Sequence, residues 1–314
     1  MSRAFLFPGQ GSQQTGMGEL LFSQFPEIVA EADEILGYCL KDLCLNPENS
    51  EKLGHTQFTQ PALYVVSSLQ AMNELGGSGA PPIFLAGHSV GEYAALATAK
   101  AFSFSDGLKL VAKRGEIMAK VSGGGMAAVI GMPLGSIRLL CDRISKEDFL
   151  VQPANINSHE QIVIAGHLKA VEEVSQLAKE GGAKKTIMLP VSAPFHCPLM
   201  KPAEINLKKE LEKTEFMDHQ YPVISNIQAR PLTTGSSACD ALVRQVCSPV
   251  RWAETMQYLI DQEINIAIEL GTGKVLSGLM RRFNNNIKCF QVGDPDSLKT
   301  TVEACKNLLK SRNN

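Results

Sequence analysis

The chain has 314 residues, 44% of them apolar and 20% charged. That composition fits a globular protein large enough to bury a core and excludes disorder as the main state. The formal net charge of −2 gives no reason to expect nucleic acid as a partner.

The opening residues, MSRAFLFPGQGSQ, lack the long apolar centre and small-residue cleavage site of a signal peptide. No stretch of about 18 or more uncharged apolar residues occurs, so no membrane span is expected. Eight cysteines, among them Cys39, Cys197 and Cys305, show no C-x-x-C pair and no histidine at zinc-ligand spacing. They read as reduced core residues, which implies a cytoplasmic setting and no metal.

In chain order, Ala4–Phe7 reads as a short buried strand, stopped by Pro8-Gly9-Gln10-Gly11-Ser12. Helical signals follow in Phe25–Leu36 and Pro61–Leu75, where Pro61 suits a first helical turn. Gly76-Gly77-Ser78-Gly79 is a break. Ile83–Gly87 reads as a strand running into the helical segment Val90–Thr98, the strand–turn–helix order of an α/β protein.

After Gly123-Gly124-Gly125 the rhythm changes. Met126–Ile130 reads as a strand and Leu134–Ile144 as a helix. Phe149–Ile156 and Gln161–Ala165 read as two strands joined by a turn at Asn157-Ser158-His159-Glu160. Leu168–Glu180 has apolar residues at helical spacing, and Lys185–Leu189 is a last strand. This β-α-β-β-α-β order is the ferredoxin-like motif. The expected fold is therefore α/β: a large α/β domain (1–124 and 195–314) with an inserted ferredoxin-like small domain (125–194). Beyond Pro194, Leu199–Lys213, Thr255–Asp261 and Val275–Phe283 read as helices, and Val223–Asn226 and Ile266–Leu270 as strands.

Gly87-His88-Ser89-Val90-Gly91 matches G-x-S-x-G between a strand and a helix. A serine in such a strained turn projects its hydroxyl into open space, and flanking glycines let the backbone approach itself. The alternative is a turn serine capping the next helix. A serine needs a base. His88 adjoins Ser89 and is badly directed for that task. His55, His159, His167 and His219 lie in polar surroundings and read as surface residues. His196 lies in Ser192-Ala193-Pro194-Phe195-His196-Cys197-Pro198, a loop stiffened by two prolines. It is either the base or a buried core histidine. Arg114 is either a solvated arginine, the default, or a guanidinium gripping a carboxylate. Gln10 sits after the first strand, where a loop can aim backbone N–H groups into a crevice. Phosphate binding and a plain loop are the alternatives, although no G-x-x-x-x-G-K-[ST] is present.

FPGQGSQ (7–13), TQPALY (59–64), GHSVGEYAAL (87–96), KRGEIM (113–118), NSHEQIVIAG (157–166), FHCPLMKP (195–202), SPVRW (248–252) and ELGTGKVL (269–276) occur in this order. Together they resemble the bacterial malonyl-CoA:acyl carrier protein transacylases, a family related to acyltransferase domains of polyketide and animal fatty acid synthases. The resemblance spans essentially the whole chain and implies the same hydrolase-like fold with its insert. It implies that Ser89 is the acylated nucleophile and His196 its base. Arg114 would hold the malonyl carboxylate, and the N–H groups of Gln10 and Val90 would form the oxyanion hole. The main-chain carbonyl of Gln245 would orient the histidine in place of a triad carboxylate. The substrates implied are malonyl-CoA and the phosphopantetheine thiol of acyl carrier protein, in support of fatty acid biosynthesis, with no cofactor. A monomer is expected.

Phe195 stands where many free-standing bacterial members have a small residue, and resembles malonyl-selective polyketide acyltransferases. Its ring would narrow the acyl pocket. NSHEQ replaces the commoner Asn-Ser-Pro-Gly-Gln, a change expected to matter only locally. Lys184, Lys185, Lys208, Lys209, Arg281 and Arg282 are candidates for meeting an acidic carrier, with solvated surface as the plainer reading. The alternatives are an acyl hydrolase of the same fold, a trans-acting polyketide acyltransferase, an esterase and an inactive carrier-docking module.

Overall fold

Hydrophobic runs of four to five residues after Arg3, Ile83 and Asn265 form a parallel sheet in the computed structural model, which describes residues 2–77, 80–191, 193–293 and 297. Ser78, Gly79, Ser192 and Cys305 lie outside the described residues. The chain runs β1 (Arg3–Phe7), α1 (Glu19–Gln24), α2 (Pro26–Leu36), α3 (Leu40–Leu45), α4 (Ser50–Gly54), α5 (Thr56–Gly76), β2 (Phe84–Gly87), α6 (Gly91–Thr98) and α7 (Phe104–Ala119). It continues through β3 (Gly124–Ile130), α8 (Leu134–Ile144), β4 (Val151–Ser158), β5 (Gln161–His167), α9 (Leu168–Glu180) and β6 (Lys185–Met188). The last part holds α10 (Lys201–Leu211), β7 (Val223–Ile224), β8 (Pro231–Leu232), α11 (Gly235–Gln245), α12 (Trp252–Asp261), β9 (Ile266–Leu270), α13 (Val275–Phe283) and β10 (Lys288–Val292).

The larger sheet has the order β10-β9-β1-β2-β7-β8, parallel except for β8 at its edge. Phe7 pairs with Gly87, so β1 and β2 end level with each other. The loop after β1 and the turn after β2 therefore emerge side by side at the carboxyl edge, where open α/β sheets bind ligands.

The smaller sheet is antiparallel, in the order β4-β5-β3-β6, and is built wholly from residues 124–188. With α8 and α9 between its strands it is the ferredoxin-like unit. The pleat sends Ala127, Val129, Ile162 and Ile164 into a separate core under α8 and α9. Met126, Ala128, Val163 and Ala165 join the core of the larger unit from the other face. Two backbone bonds around Val250 pin β4 to the large unit: Ile156 N–H donates to its carbonyl at 2.9 Å, and its N–H donates to Ala154 at 2.9 Å.

Some elements differ from their sequence expectations. Helix α5 starts at Thr56, so Pro61 sits inside it rather than in its first turn. The ring removes only the N–H that would reach Gln57, and packing carries the helix past that loss. The helix expected from Leu199 begins as a 3-10 turn at Pro198–Met200 before α10 takes over. Strand β10 and helix α11 were not anticipated. Among the described residues no helix is long and apolar enough to cross a membrane.

Candidate active site

Ser89 has φ 53°, in the left-handed region that side chains avoid. The turn is forced by two close approaches. A Cβ on Gly87 would lie 2.0 Å from the Gly91 carbonyl carbon, and a Cβ on Gly91 would lie 2.2 Å from the Phe7 carbonyl oxygen. Asn226, two residues past β7, braces the turn. Its Nδ2 donates to the Gly87 carbonyl at 2.6 Å and its Oδ1 accepts from Ser89 N–H at 2.7 Å.

His196 also has positive φ, 61°, in the loop between β6 and α10. Its Nε2 lies 2.8 Å from Ser89 Oγ and its Nδ1 lies 2.9 Å from the Gln245 carbonyl. A carbonyl can only accept, so Nδ1 carries the proton and Nε2 is free to accept from the serine. Burial, and after it the charge of Arg114, pushes the imidazole down to about 3, so its resting form is neutral.

Arg114 is buried, with 1% of its surface exposed, so the solvated default is overturned. The stripe Val111, Arg114, Met118 puts it on the inward face of α7. Gly115 lets α7 approach α5 closely: a Cβ there would lie 2.9 Å from Gln57 Cα. The guanidinium donates to Ser89 Oγ at 3.1 Å, Gln60 Oε1 at 2.5 Å and Gln245 Oε1 at 2.9 Å.

Gln10 and Val90 line the same cavity, and among the described residues neither backbone N–H has an acceptor. The Gln10 loop is held in place through its side chain. Gln60 Nε2 donates to Thr56 Oγ1 at 2.9 Å, and Thr56 Oγ1 donates to Gln10 Oε1 at 2.8 Å. The cavity is about 480 Å³, with Ser89 and Arg114 on its floor. Met118, Met126, Val163, Leu189 and Phe195 supply apolar wall.

The residues given catalytic or substrate-binding roles from the sequence reach this cavity or its floor: Ser89, His196, Arg114, Gln10, Val90, Gln245 and Phe195. Sequence reasoning missed Gln60, Glu92, Asn226 and Asn157. Gln60 and Glu92 stand inside two of the recognised blocks, and a glutamine amid an apolar helical run was the available signal. Glu92 Oε2 accepts from Gln245 Nε2 at 2.5 Å and lies beneath the serine, away from the histidine. His88 also lines the cavity but does not bond Ser89; its Nε2 lies 2.9 Å from Asn157 Oδ1.

The other histidines differ from a plain surface reading in part. His55 is exposed at the cavity rim, while His167 and His219 are half-buried. His167 Nδ1 accepts from Leu150 N–H, and His219 Nδ1 donates to the Leu232 carbonyl. The NSHEQ turn is more than a local change. His159 stacks on Phe283 of α13, centroids 4.8 Å apart, and ties the small sheet to the large unit. Of the basic candidates, Lys184 pairs with Glu160, Lys208 pairs with Glu212, and Arg281 donates to the Cys289 carbonyl.

The acyl transferase domain family model matches residues 4–287. A malonyl CoA-acyl carrier protein transacylase of Bacillus subtilis is 43% identical over 96% of this chain and 97% of its own length. An acyl carrier protein S-malonyltransferase structure from Vibrio cholerae has a TM-score of 0.90 at 41% identity, covering 96% of this chain and all of that one. A malonyl-transacylase solved in complex with its type II polyketide acyl-carrier protein has a TM-score of 0.92 at 39% identity, covering 97% and 100%. The nucleophile elbow, the carbonyl-oriented histidine and the buried arginine thus stand in a chain that belongs to the acyl transferase domain family.

Proposed function

We propose that this acyltransferase moves the malonyl group from malonyl-CoA to the phosphopantetheine thiol of acyl carrier protein, supplying fatty acid biosynthesis. One observation carries the reading: a buried guanidinium 3.1 Å from the nucleophilic oxygen. A neutral acyl group has no use for that cation, which costs several kcal/mol if it stays unpaired. A carboxylate two bonds from the thioester carbon reaches it.

Ser89 Oγ attacks the thioester carbonyl as its proton passes to His196 Nε2. The developing oxyanion is received by the N–H groups of Gln10 and Val90; losing one such donor typically costs about 3–4 kcal/mol. The imidazolium hands its proton to the departing CoA sulfur. The carrier thiol then gives its proton to His196 and attacks the malonyl-serine, and the imidazolium returns that proton to Ser89 Oγ as it leaves. This is ping-pong chemistry. Every proton and electron pair is accounted for by Ser89, His196 and the two thiols, so the reading calls for no cofactor. The protein acts as a cytoplasmic monomer in this account. The relatives' names, one of them solved with its carrier protein, support the same substrate pair.

The test is the Arg114→Ala variant, with acylation by malonyl-CoA and acetyl-CoA measured in parallel. Malonyl transfer should fall by about 10²-fold or more relative to acetyl transfer, the loss of a charge-assisted bidentate contact. Equal losses would remove the carboxylate role of Arg114.

A further inference from the structure

Arg114 is a full charge with only 1% of its surface exposed, on the cavity floor, yet among the described residues no carboxylate lies within ion-pair distance of it. Its hydrogen-bond partners Gln60, Gln245 and Ser89 are all neutral, as is the Tyr93 ring whose centroid lies 5.5 Å from the guanidinium carbon. Two surface arginines are paired directly: Arg244 with Asp240 at 2.6 Å, and Arg251 with Glu254. Glu92 is the complementary anomaly. It is a carboxylate with 1% of its surface exposed, and it also lacks a cation in contact. Its partners are the Gln245 amide and the Asn226 backbone N–H, at 3.3 and 3.4 Å from its two oxygens.

A single side chain joins the two anomalies. The oxygen of Gln245 faces Arg114, which can only donate, and its nitrogen faces Glu92 and the Ser89 carbonyl. The amide dipole is therefore aligned between cation and anion. We propose that Glu92 is the counter-charge of Arg114, held one amide away by Gln245, so that the guanidinium is balanced in the free enzyme yet keeps N–H groups open to the donor's carboxylate. This rests on the reading that Arg114 receives that carboxylate.

A direct ion pair would occupy the guanidinium and compete with substrate. With no counter-charge, two costs would follow: an unpaired buried cation before binding, and a grip on malonyl too strong to release in the second half-reaction. The spacing avoids both. Burial pushes the Glu92 carboxyl up to about 7, against the opposing pull of Gln245, Asn226 and Arg114, so the counter-charge forms as pH rises through 7. Its place in the first turn of α6 adds the favourable end of a helix dipole. Glu92 is thus a positioning residue that touches no reacting atom.

The test is a cycle of Glu92→Gln, Arg114→Met and the double variant, read by denaturant unfolding and by loading with malonyl-CoA and acetyl-CoA. We expect the effect of Glu92→Gln on stability to depend on residue 114, less favourable with Arg114 present than in the Arg114→Met background. We also expect Glu92→Gln to lower KM for malonyl-CoA on the order of tenfold, slow the discharge of malonyl-serine, and leave KM for acetyl-CoA unchanged. Additive stability effects would overturn the proposal, as would malonyl and acetyl parameters that shift together. If Glu92→Gln does not fold, the double variant decides: a folded double supports the pairing and an unfolded one overturns it. An Arg114→Met enzyme that loses malonyl and acetyl transfer equally, with the stability coupling intact, would instead sink the functional reading.

Discussion

The floor and the wall of the cavity are built on opposite principles. The floor, contributed by the large unit, is polar and almost fully buried: Ser89, Arg114, Gln245, Asn226 and Glu92 interlock through hydrogen bonds. The wall facing it carries Met126 and Val163 from the small sheet, with Leu189 and Phe195 from the segment that follows. These four side chains touch by packing alone, while Asn157 of the same small sheet adds a polar contact to His88 at 2.9 Å. The floor is intolerant because each buried polar group depends on the next, while an apolar wall can change shape at modest cost. In the proposed reading the chemistry belongs to the first region and the limit on acyl size to the second.

The largest effect that would break this contrast is on the floor. Asn226→Ala would leave the Gly87 carbonyl and the Ser89 N–H unpaired in a dry site. We expect a loss of about 2–4 kcal/mol in unfolding free energy and a fall in acylation rate, because the strained serine loses its brace. Chemical unfolding measures the first and stopped-flow acylation the second. A loss under about 0.5 kcal/mol would mean that the elbow holds itself.

A second prediction concerns pH. His196 is held neutral down to about 3, so acylation at saturating donor should stay level as pH falls through 6.5. A drop centred near 6.5 would show that the base is accessible to solvent. Stability has the opposite dependence on this residue. The unfolded histidine takes up its proton near 6.5 and the folded one does not, so this group's contribution is lost as pH falls below 6.5. Glu92 runs the other way. Its folded value of about 7 exceeds the reference of 4.5, so its contribution is present below 4.5 and lost as pH rises through 7. Urea midpoints across this range, with Glu92→Gln as control, separate the two.

The smallest expected effect is on the wall. Phe195→Ala should leave malonyl loading nearly intact and admit methylmalonyl-CoA, changing discrimination by about 1–3 kcal/mol. Competition assays with the two donors read this directly. A collapse of malonyl loading would place Phe195 with the floor, through its neighbour His196.

Legibility in the sequence follows the same division. Ser89 was visible because a strained elbow demands glycines at fixed spacing, and the alternating pattern of 126–189 announced the small sheet. Arg114 was ambiguous from composition alone, since a long basic side chain is ordinarily solvated; its place in the apolar stripe of α7 only became decisive with Gly115 packed on α5. Glu92 and Asn226 were not legible at all. They are 134 residues apart, and nothing local tells a buried carboxylate from an exposed one in a helix's first turn. Strand β10 was missed because its single alternation, Lys288 to Val292, is too short to separate from a loop.

The central claim is that Ser89 carries malonyl between two thiols. Intact-protein mass spectrometry after brief mixing with malonyl-CoA, beside a Ser89→Ala control, tests it most directly. The account predicts one malonyl adduct on the wild-type chain only, discharged on adding phosphopantetheinylated acyl carrier protein. Free CoA accumulating with no adduct, or an adduct that survives in Ser89→Ala, would contradict it.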